Sequence, residues 1–465
     1  MPTLPDMKGP LYVRLADAIE RDIDSGALAE GTKLPPHRNL AFDIGVTVGT
    51  VSRAYAIVRE RGLVAGEVGR GTYVKATPAA TSEQSHPLAR YSGLLPRPQP
   101  NLITMNSTSA PNVGQADIIA RHMAELVAHN PTGMHDYLRD IADEWRAAGK
   151  QWMTTEHWSP NAENVLPTQG SHGGLMAVIN TVSLPGDRIA FEELTYPITV
   201  RASALMGRRT ISITSTDQGI DPDAFEQVCA QQHPKIAVIV STYNNPTLTT
   251  IPLENRLRIV ESARRHNVLI LDDDTFGVLS PNPPPPFSAL APERTFHVTS
   301  LSKSVAAGLR AGWVACPNGY GTRVMNAHRV ITGGAPRAFV QIAAQMVLNG
   351  EADALRQTVR AKNAERVQKA RLAFSRANFK SDINCPFIWL QLPDHWVPSA
   401  FCKAARAQDV LLEEADTFKT SQLDRPVPYV RVALTGALDD AGLDRGLATI
   451  ASLLEQPMLA YGHSE

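Results

Sequence analysis

Two kinds of hydrophobic patterning divide the chain. Near the N-terminus, Leu11, Leu15, Ala18, Ile19 and Ile23 recur at helical spacing and give one apolar face. Gly26 and Gly31 stop that helix. LPPHRNLAFDIG (34–45) predicts a short second helix ending at Gly45. TVGTVSRAYAIVRERG (47–62) predicts a third, with Thr47 as its N-cap and Val51, Ala54, Tyr55 and Val58 as its apolar face. Thr47, Val48, Gly49, Thr50 and Arg53 face elsewhere. LVAGEVGRGTYV (63–74) then predicts two short strands around a glycine-rich tip.

Beyond residue 100 the pattern changes in kind. KIAVIVS (235–241), NVLILDDD (267–274), TFHVTSLS (295–302) and RAGWVAC (310–316) are short apolar runs of the sort that form buried parallel strands. An amphipathic helix pattern, LENRLRIVESARRHN (253–267), separates the first two. Strand–helix–strand alternation predicts an α/β sheet with ligands at the C-terminal ends of its strands. Asn245, Asp273 and Lys303 stand at or just past those ends. They are spaced by about thirty residues, one βαβ unit each, so all three converge on one crevice. Between the two patterned regions, residues 76–100 are rich in Pro, Ser, Thr and Ala and read as a linker. The chain is thus expected to hold a small module over 8–75, the linker, and a large module over 101–460. PNPPPP (281–286) reads as a rigid loop.

Helix, helix-turn-helix and β-wing is the layout of a winged helix, whose third helix enters a DNA major groove. Charge agrees. From Lys33 to Lys75 there are seven basic residues (Lys33, Arg38, Arg53, Arg59, Arg61, Arg70, Lys75) against three acidic ones (Asp43, Glu60, Glu67). The first helix has the opposite bias, with Asp17, Glu20, Asp22 and Asp24 against Arg14 and Arg21. The module is polarised, and phosphate contact needs such a local excess. The whole chain of 465 residues carries a formal net charge of -1, so any attraction to nucleic acid is local.

Four well-separated cysteines (Cys229, Cys316, Cys385, Cys402), in no CxxC pair, argue against a zinc site or disulfide framework and predict a reducing, cytoplasmic setting. The N-terminus lacks an apolar core of signal-peptide length. No apolar run approaches the roughly 20 residues of a membrane span, so no membrane partner is expected.

A crevice with an amine, a carboxylate and an amide suits one cofactor chemistry. Lys303 can form a Schiff base with an aldehyde, Asp273 can keep a pyridine nitrogen protonated, and Asn245 can donate to a phenolate oxygen. That is the set pyridoxal phosphate requires. LPTQGSHGGLMAVIN (166–180) supplies small residues running into a helix whose N–H groups would meet the phosphate. Ser300 and Arg310 flank the lysine and could complete the cup.

Both modules resemble known families. PLYVRLADAI, GTKLPPHRNLAFDIGVTVGTVSRAY and GLVAGEVGRGTYV look like the GntR-type winged helix, which implies DNA contact by Arg38, Thr47, Thr50, Arg53, Arg70 and Gly71. Val48 stands where that family usually has a basic residue. Residues of about 101–455 resemble the fold-type I aminotransferases, with a large mixed, mostly parallel sheet domain and a smaller C-terminal α/β domain. The resemblance implies Lys303 in SLSKSVAAGLR as the Schiff-base lysine, Ser300 and Arg310 as phosphate ligands, and Asp273 in LILDDDTFG as the pyridinium partner. It implies Asn245 in YNNPT at the phenolic oxygen, Ser171 and His172 in TQGSHGG at the phosphate, and Tyr196 in ELTYP stacked on the ring. Arg431 in YVRVALTG matches the arginine that grips a substrate carboxylate, and FIWLQLPD (387–394) looks like the first strand of the smaller domain.

Three departures from the pattern stand out. Phe276 replaces a tyrosine, Leu248 replaces a turn glycine, and Ala128, ahead of the tight turn before Gly133, replaces a tyrosine that reaches the partner subunit's phosphate.

A winged helix joined to an aminotransferase-like domain is the layout of the MocR group of bacterial regulators. This implies a homodimer, with each head swapped over the other subunit, and pyridoxal phosphate at Lys303. An amino compound, with a carboxylate or similar anion for Arg431, would displace Lys303 to form an external aldimine and change DNA binding. A working aminotransferase with a vestigial head, or a sensor of vitamin B6 itself, are the alternatives.

Overall fold

The computed structural model describes residues 11–24, 28, 32–60, 63–67, 71–74, 101–129, 140–421, 427–435 and 439–456. Gly26, Gly31, Arg70, the linker over 76–100 and the turn before Gly133 lie outside the described residues. The chain divides into two compact units, Met1–Ser92 and Gly93–Glu465.

The first unit contains α1 (Leu11–Asp24), α2 (His37–Asp43), α3 (Val48–Glu60) and an antiparallel pair, β1 (Val64–Glu67) and β2 (Gly71–Val74). Its core is the expected one. Leu15, Ile19 and Ile23 pack with Val51, Ala54, Tyr55 and Val58, all buried. Leu11, placed on the same face by spacing, is 38% exposed at the helix start. Tyr55 satisfies its hydroxyl by donating to Pro35 O at 2.8 Å. One feature escaped the pattern. Leu34 N–H donates to Thr72 O and Val74 N–H donates to Thr32 O, so residues 32–34 extend the wing by a third edge. Three residues are too few to show a two-residue period.

The second unit begins with β3 (Ile103–Thr104), α4 (Gln115–His129) and α5 (Asp143–Met153). Next come β4 (Val165–Gln169), α6 (Gly170–Val182), β5 (Arg188–Glu192), α7 (Pro197–Leu205) and β6 (Arg209–Ile213). A short hairpin follows, β7 (Ser215–Thr216) and β8 (Gly219–Ile220), then β9 (Ile236–Ile239), β10 (Leu269–Asp273), β11 (Thr295–Ser300) and β12 (Ala311–Ala315). Seven strands form one sheet in the order β4-β12-β11-β10-β9-β5-β6. From β11 to β6 the neighbours are parallel. Residues 310–316 do not form the parallel strand that their composition predicts: β12 is antiparallel to both β11 and β4. Only residues 301–310 separate β11 from β12. A parallel return needs a crossover of a dozen or more residues, so the short link forces an antiparallel one.

The sheet is buried on both faces, with Phe191, Phe296 and Val298 in one cluster and Ile239, Ile259 and Phe287 in another. Arg256 reaches from the helix Leu253–Arg265 to donate to Pro284 O and Pro285 O at 3.3 and 3.0 Å, which pins the proline loop from inside.

The smaller sheet uses β13 (Phe379–Lys380), β14 (Phe387–Gln391), β16 (Glu413–Glu414) and β17 (Tyr429–Ala433), in the order β13-β14-β17-β16. FIWLQ is therefore an interior strand and not the first. The two-residue β13 precedes it and is too short to carry a pattern. β15 (Val410–Leu411) pairs in parallel with β3, which ties the start of this unit to its C-terminal part. Among the described residues no single helix is long and apolar enough to cross a membrane. All four cysteines are free.

Candidate functional site

The ends of β9, β10 and β11 point to one place, and Lys303 sits just past β11. It is half-buried, and its Nζ donates to Thr108 Oγ1 at 3.2 Å. The same Nζ lies 5.3 Å from the centre of the Phe276 ring. Burial lowers its pKa to about 8; Arg431 and Arg310 push the same way, and Asp273 opposes them. An amine near 8 is partly neutral at physiological pH and so nucleophilic.

Asp273 closes β10 and is 6% exposed. Thr275 donates to its Oδ1 through both backbone N–H, at 3.2 Å, and hydroxyl. Burial raises its pKa, and those bonds work against the rise. Asn245 is buried, and its Oδ1 accepts from Arg431 Nη1 at 2.7 Å. Arg431 in turn lies 4.8 Å from the Phe418 ring centre and 5.7 Å from that of Phe387. Its Nη2 donates to Asn106 O at 2.5 Å. Lys303, Asp273, Asn245 and Arg431 are thus brought together from four separate segments.

The anion end is built on α6. Gly170 opens the helix at φ +66, a backbone that favours glycine, and a Cβ there would lie 3.8 Å from Arg310 Cζ. Arg310 itself adopts φ 48 and is exposed. At Gly312 a Cβ would meet Thr299 O at 2.6 Å and the Gly170 carbonyl carbon at 3.0 Å, so glycine is what lets β12 close on β11 and the helix start. Ser171 and His172 occupy the first turn of α6, both half-buried. Burial and then Arg310 lower the pKa of His172. Ser300 is fully buried at the end of β11, and its Oγ accepts from Ser302 N–H at 3.4 Å. Tyr196 stands just before α7 and is half-buried.

The departures have local consequences. Phe276 packs edge-on against Phe387 at 5.3 Å and brings no hydroxyl near Asn245. Leu248 holds φ 61, the left-handed backbone that a glycine adopts without strain. Ala128 is exposed near the end of α4.

Sequence reasoning missed several participants. Thr108, Asn106 and Glu413 lie in short segments without periodicity. His297, inside β11, was visible only as a core position. Its Nδ1 lies 3.6 Å from Asp272 Oδ2 and its Nε2 3.6 Å from Asp274 Oδ2. Burial pulls its pKa down, but the two carboxylates win and raise it. His328 Nε2 accepts from Gln169 N–H at 3.0 Å, fixing the residue before α6. Burial lowers its pKa to about 4, which keeps that acceptor available.

In the first unit, Thr47 Oγ1 accepts from Thr50 N–H at 3.2 Å, the predicted N-cap, and also pairs with Thr50 Oγ1 at 2.9 Å. Thr47, Val48, Gly49 and Arg53 are exposed along the start of α3, and Arg38 is exposed on α2. Arg53 Cζ lies 5.7 Å from the Tyr12 ring centre. Gly71 begins β2.

Residues 107–450 match the family "Aminotransferase class I and II", and residues 11–74 match "Bacterial regulatory proteins, gntR family". The chain belongs to the aminotransferase class I and II family, with a gntR-family unit ahead of it: the MocR-type layout. Relatives that match nearly the whole chain are named as HTH-type transcriptional regulators. The chain is 25% identical over 98% of its length to an uncharacterized HTH-type transcriptional regulator, YdeF, of Bacillus subtilis, covering 96% of that protein. It is 26% identical over 97% of its length to the HTH-type transcriptional regulator TauR of Rhodobacter capsulatus, covering 98% of it. Among solved structures, LysN, an α-aminoadipate aminotransferase of Thermus thermophilus complexed with N-(5'-phosphopyridoxyl)-L-leucine, superposes with a TM-score of 0.70. That match, at 19% identity, covers 77% of this chain and 93% of that one, and it shows the fold.

The class I and II aminotransferase family uses pyridoxal phosphate. The residues present here fit it. A basic ring nitrogen calls for a buried carboxylate, an aldehyde for an amine of lowered pKa, and a phosphate for free N–H groups beside a cation. Asp273, Lys303 and the start of α6 with Arg310 provide these. His172 Nδ1 is buried at that helix start with no hydrogen-bond partner among the described residues.

Proposed function

We propose that this protein is a DNA-binding transcriptional regulator whose larger unit holds pyridoxal phosphate and detects an amino compound. The observation that carries the reading is the half-buried Lys303 amine, its pKa lowered to about 8, beside the buried Asp273 and Arg431. It sits in a chain whose exposed α3 start is intact. When bound, pyridoxal phosphate supplies an aldehyde that captures amines and a ring that withdraws electrons. Lys303 Nζ would hold the cofactor through its aldehyde, the same group for which an amine effector would compete. Asp273 holds a proton on the ring nitrogen. Asn245 would donate to the ring oxygen, and Tyr196 would cover the ring face. Ser171, His172, Ser300, Arg310 and the α6 N–H groups bind the phosphate. Arg431 orients an effector carboxylate or similar anion.

In the first unit, Arg38, Thr47, Thr50, Arg53, Arg70 and Gly71 meet DNA. The Thr47 and Thr50 hydroxyls already bond each other, so they act there mainly by fixing the helix start. Two copies of the chain pair as a cytoplasmic homodimer, which matches two half-sites on DNA. Phe276 favours sensing over turnover, because one hydrogen bond to the ring oxygen is missing. Ligand-dependent change in DNA affinity, without sustained release of a 2-oxo acid, is the expected result. Multiple turnover with a 2-oxo acid acceptor would establish the aminotransferase reading instead. A change in DNA affinity on adding pyridoxal phosphate alone would establish a vitamin B6 sensor.

A further inference from the structure

The face of the smaller sheet that carries Arg431 also carries a carboxylate. Glu413 on β16 lies directly opposite Arg431 on the antiparallel β17. Residues paired in this way present their side chains on the same face. Glu413 Oε1 accepts from Asn106 Nδ2 at 3.4 Å, while the Asn106 backbone oxygen accepts from Arg431. The three residues form one cluster beside Asn245.

Two features of that cluster call for a donor. Asn106 Oδ1 is buried and meets no donor among the described residues. A buried acceptor left unsatisfied keeps the desolvation penalty that a donor would offset. Glu413 offers a further acceptor next to it and is half-buried. The Arg431 guanidinium leaves both unmet: its Nη1 and Nη2 donate to Asn245 Oδ1 and Asn106 O, and its buried Nε–H meets no acceptor among the described residues. An ammonium has three N–H donors and no acceptor, so it matches a carboxylate beside an amide oxygen.

Charge balance points the same way. Arg431 alone would make an anion site of net positive charge, and Glu413 offsets it. A ligand whose only charged group here is a carboxylate meets attraction and repulsion together. A ligand with an additional cation gains from both residues.

We propose that Glu413 and Asn106 select effectors bearing a second positive group, namely basic amino acids or diamino compounds. The second ammonium lies between the Glu413 carboxylate and Asn106 Oδ1. This rests on the reading of the Lys303 site as an amine sensor.

The test titrates full-length, pyridoxal phosphate-loaded protein with lysine and with norleucine, which has the same carbon chain without the second amine. Cofactor absorbance is the readout, with methylamine at high concentration as a generic probe. Lysine is expected to bind about tenfold or more tighter than norleucine. Glu413→Gln should erase most of that ratio by weakening lysine while leaving norleucine within about twofold. Equal affinities in the unmutated protein, a comparison that needs no variant, would overturn the proposal. Equal weakening of both ligands by Glu413→Gln would overturn it too, and would leave Glu413 as a counter-ion of Arg431. Silence toward lysine, norleucine and methylamine alike would overturn the sensor reading itself. A methylamine response without lysine preference overturns the selectivity alone.

Discussion

Arg38, Asp43, Arg53 and Arg59 all lie at the surface of α2 and α3, whereas Asp272, Asp273, His297 and Arg431 in the larger unit are each less than 7% exposed. The first unit keeps charge outside a core of aliphatic side chains and one tyrosine. The second draws charge inward to the ends of its strands. The difference follows from what each must meet. A polyanion is met by solvated cations, and the interaction is additive and weakened by salt. Capture of an amine needs desolvated groups with displaced pKa values, and these are coupled to one another. Substitutions in the first unit should therefore give small, graded effects, and those in the second large, interdependent ones.

The sharpest contrast is expected at Lys303. Lys303→Ala removes the anchoring amine, so lysine-linked cofactor absorbance and borohydride trapping should vanish. DNA affinity without ligand should stay within about twofold, since nothing in the α3 surface is touched. Loss of both properties together would break the division of labour between the units.

Asp273→Asn comes next. It removes one partner of a buried charge arrangement, at a cost of about 2–5 kcal/mol, or roughly 30-fold or more in cofactor affinity by equilibrium dialysis. A change below about threefold would mean that Asp273 does not hold the ring nitrogen.

The pH response of Lys303 gives a third test. The neutral amine is the reactive form, and its pKa lies at about 8. Cofactor capture by the apoprotein should therefore speed up as pH rises through about 8 and level off above it. Lys303 donates to Thr108 Oγ1, a bond that favours the charged amine. Thr108→Val removes it, so the midpoint should move down by about one unit. A midpoint that stays fixed would show that Thr108 plays no part in holding the proton.

The smallest effects belong to the first unit. Arg53→Ala should weaken binding to all DNA sequences alike and reduce the slope of log affinity against log salt by about one. Thr47→Ala should cost that unit about 1 kcal/mol through loss of the α3 cap, read as a lower denaturant midpoint.

The contrast also explains what sequence alone could show. The helical faces of α1 and α3 are local periodicities, and they appear in the structure with the expected residues buried except Leu11 at the start of α1. Asn245, Asp273 and Lys303 could be grouped because each follows an apolar strand and strand ends share one edge of a sheet. The antiparallel β12 was hidden because its direction depends on the length of a link, and its composition equals that of a parallel strand. Residues 32–34 join the wing through backbone bonds that no side-chain pattern records. Thr108, Asn106 and Glu413 reach the site only through long-range pairings, β3 with β15 and β16 with β17. Their polar side chains, read in isolation, belong to ordinary loops and edges.

We propose that an amine arriving at Lys303 alters what α3 does with DNA. The most direct test is fluorescence anisotropy of the pyridoxal phosphate-loaded protein on a DNA duplex selected from a random pool, with and without saturating lysine. Allosteric coupling of about 1–3 kcal/mol predicts a 5- to 150-fold change in affinity for the unmutated chain and none for Lys303→Ala. Identical binding curves with and without lysine and methylamine, in protein whose cofactor absorbance does respond to them, would show that the Lys303 site and α3 are not coupled.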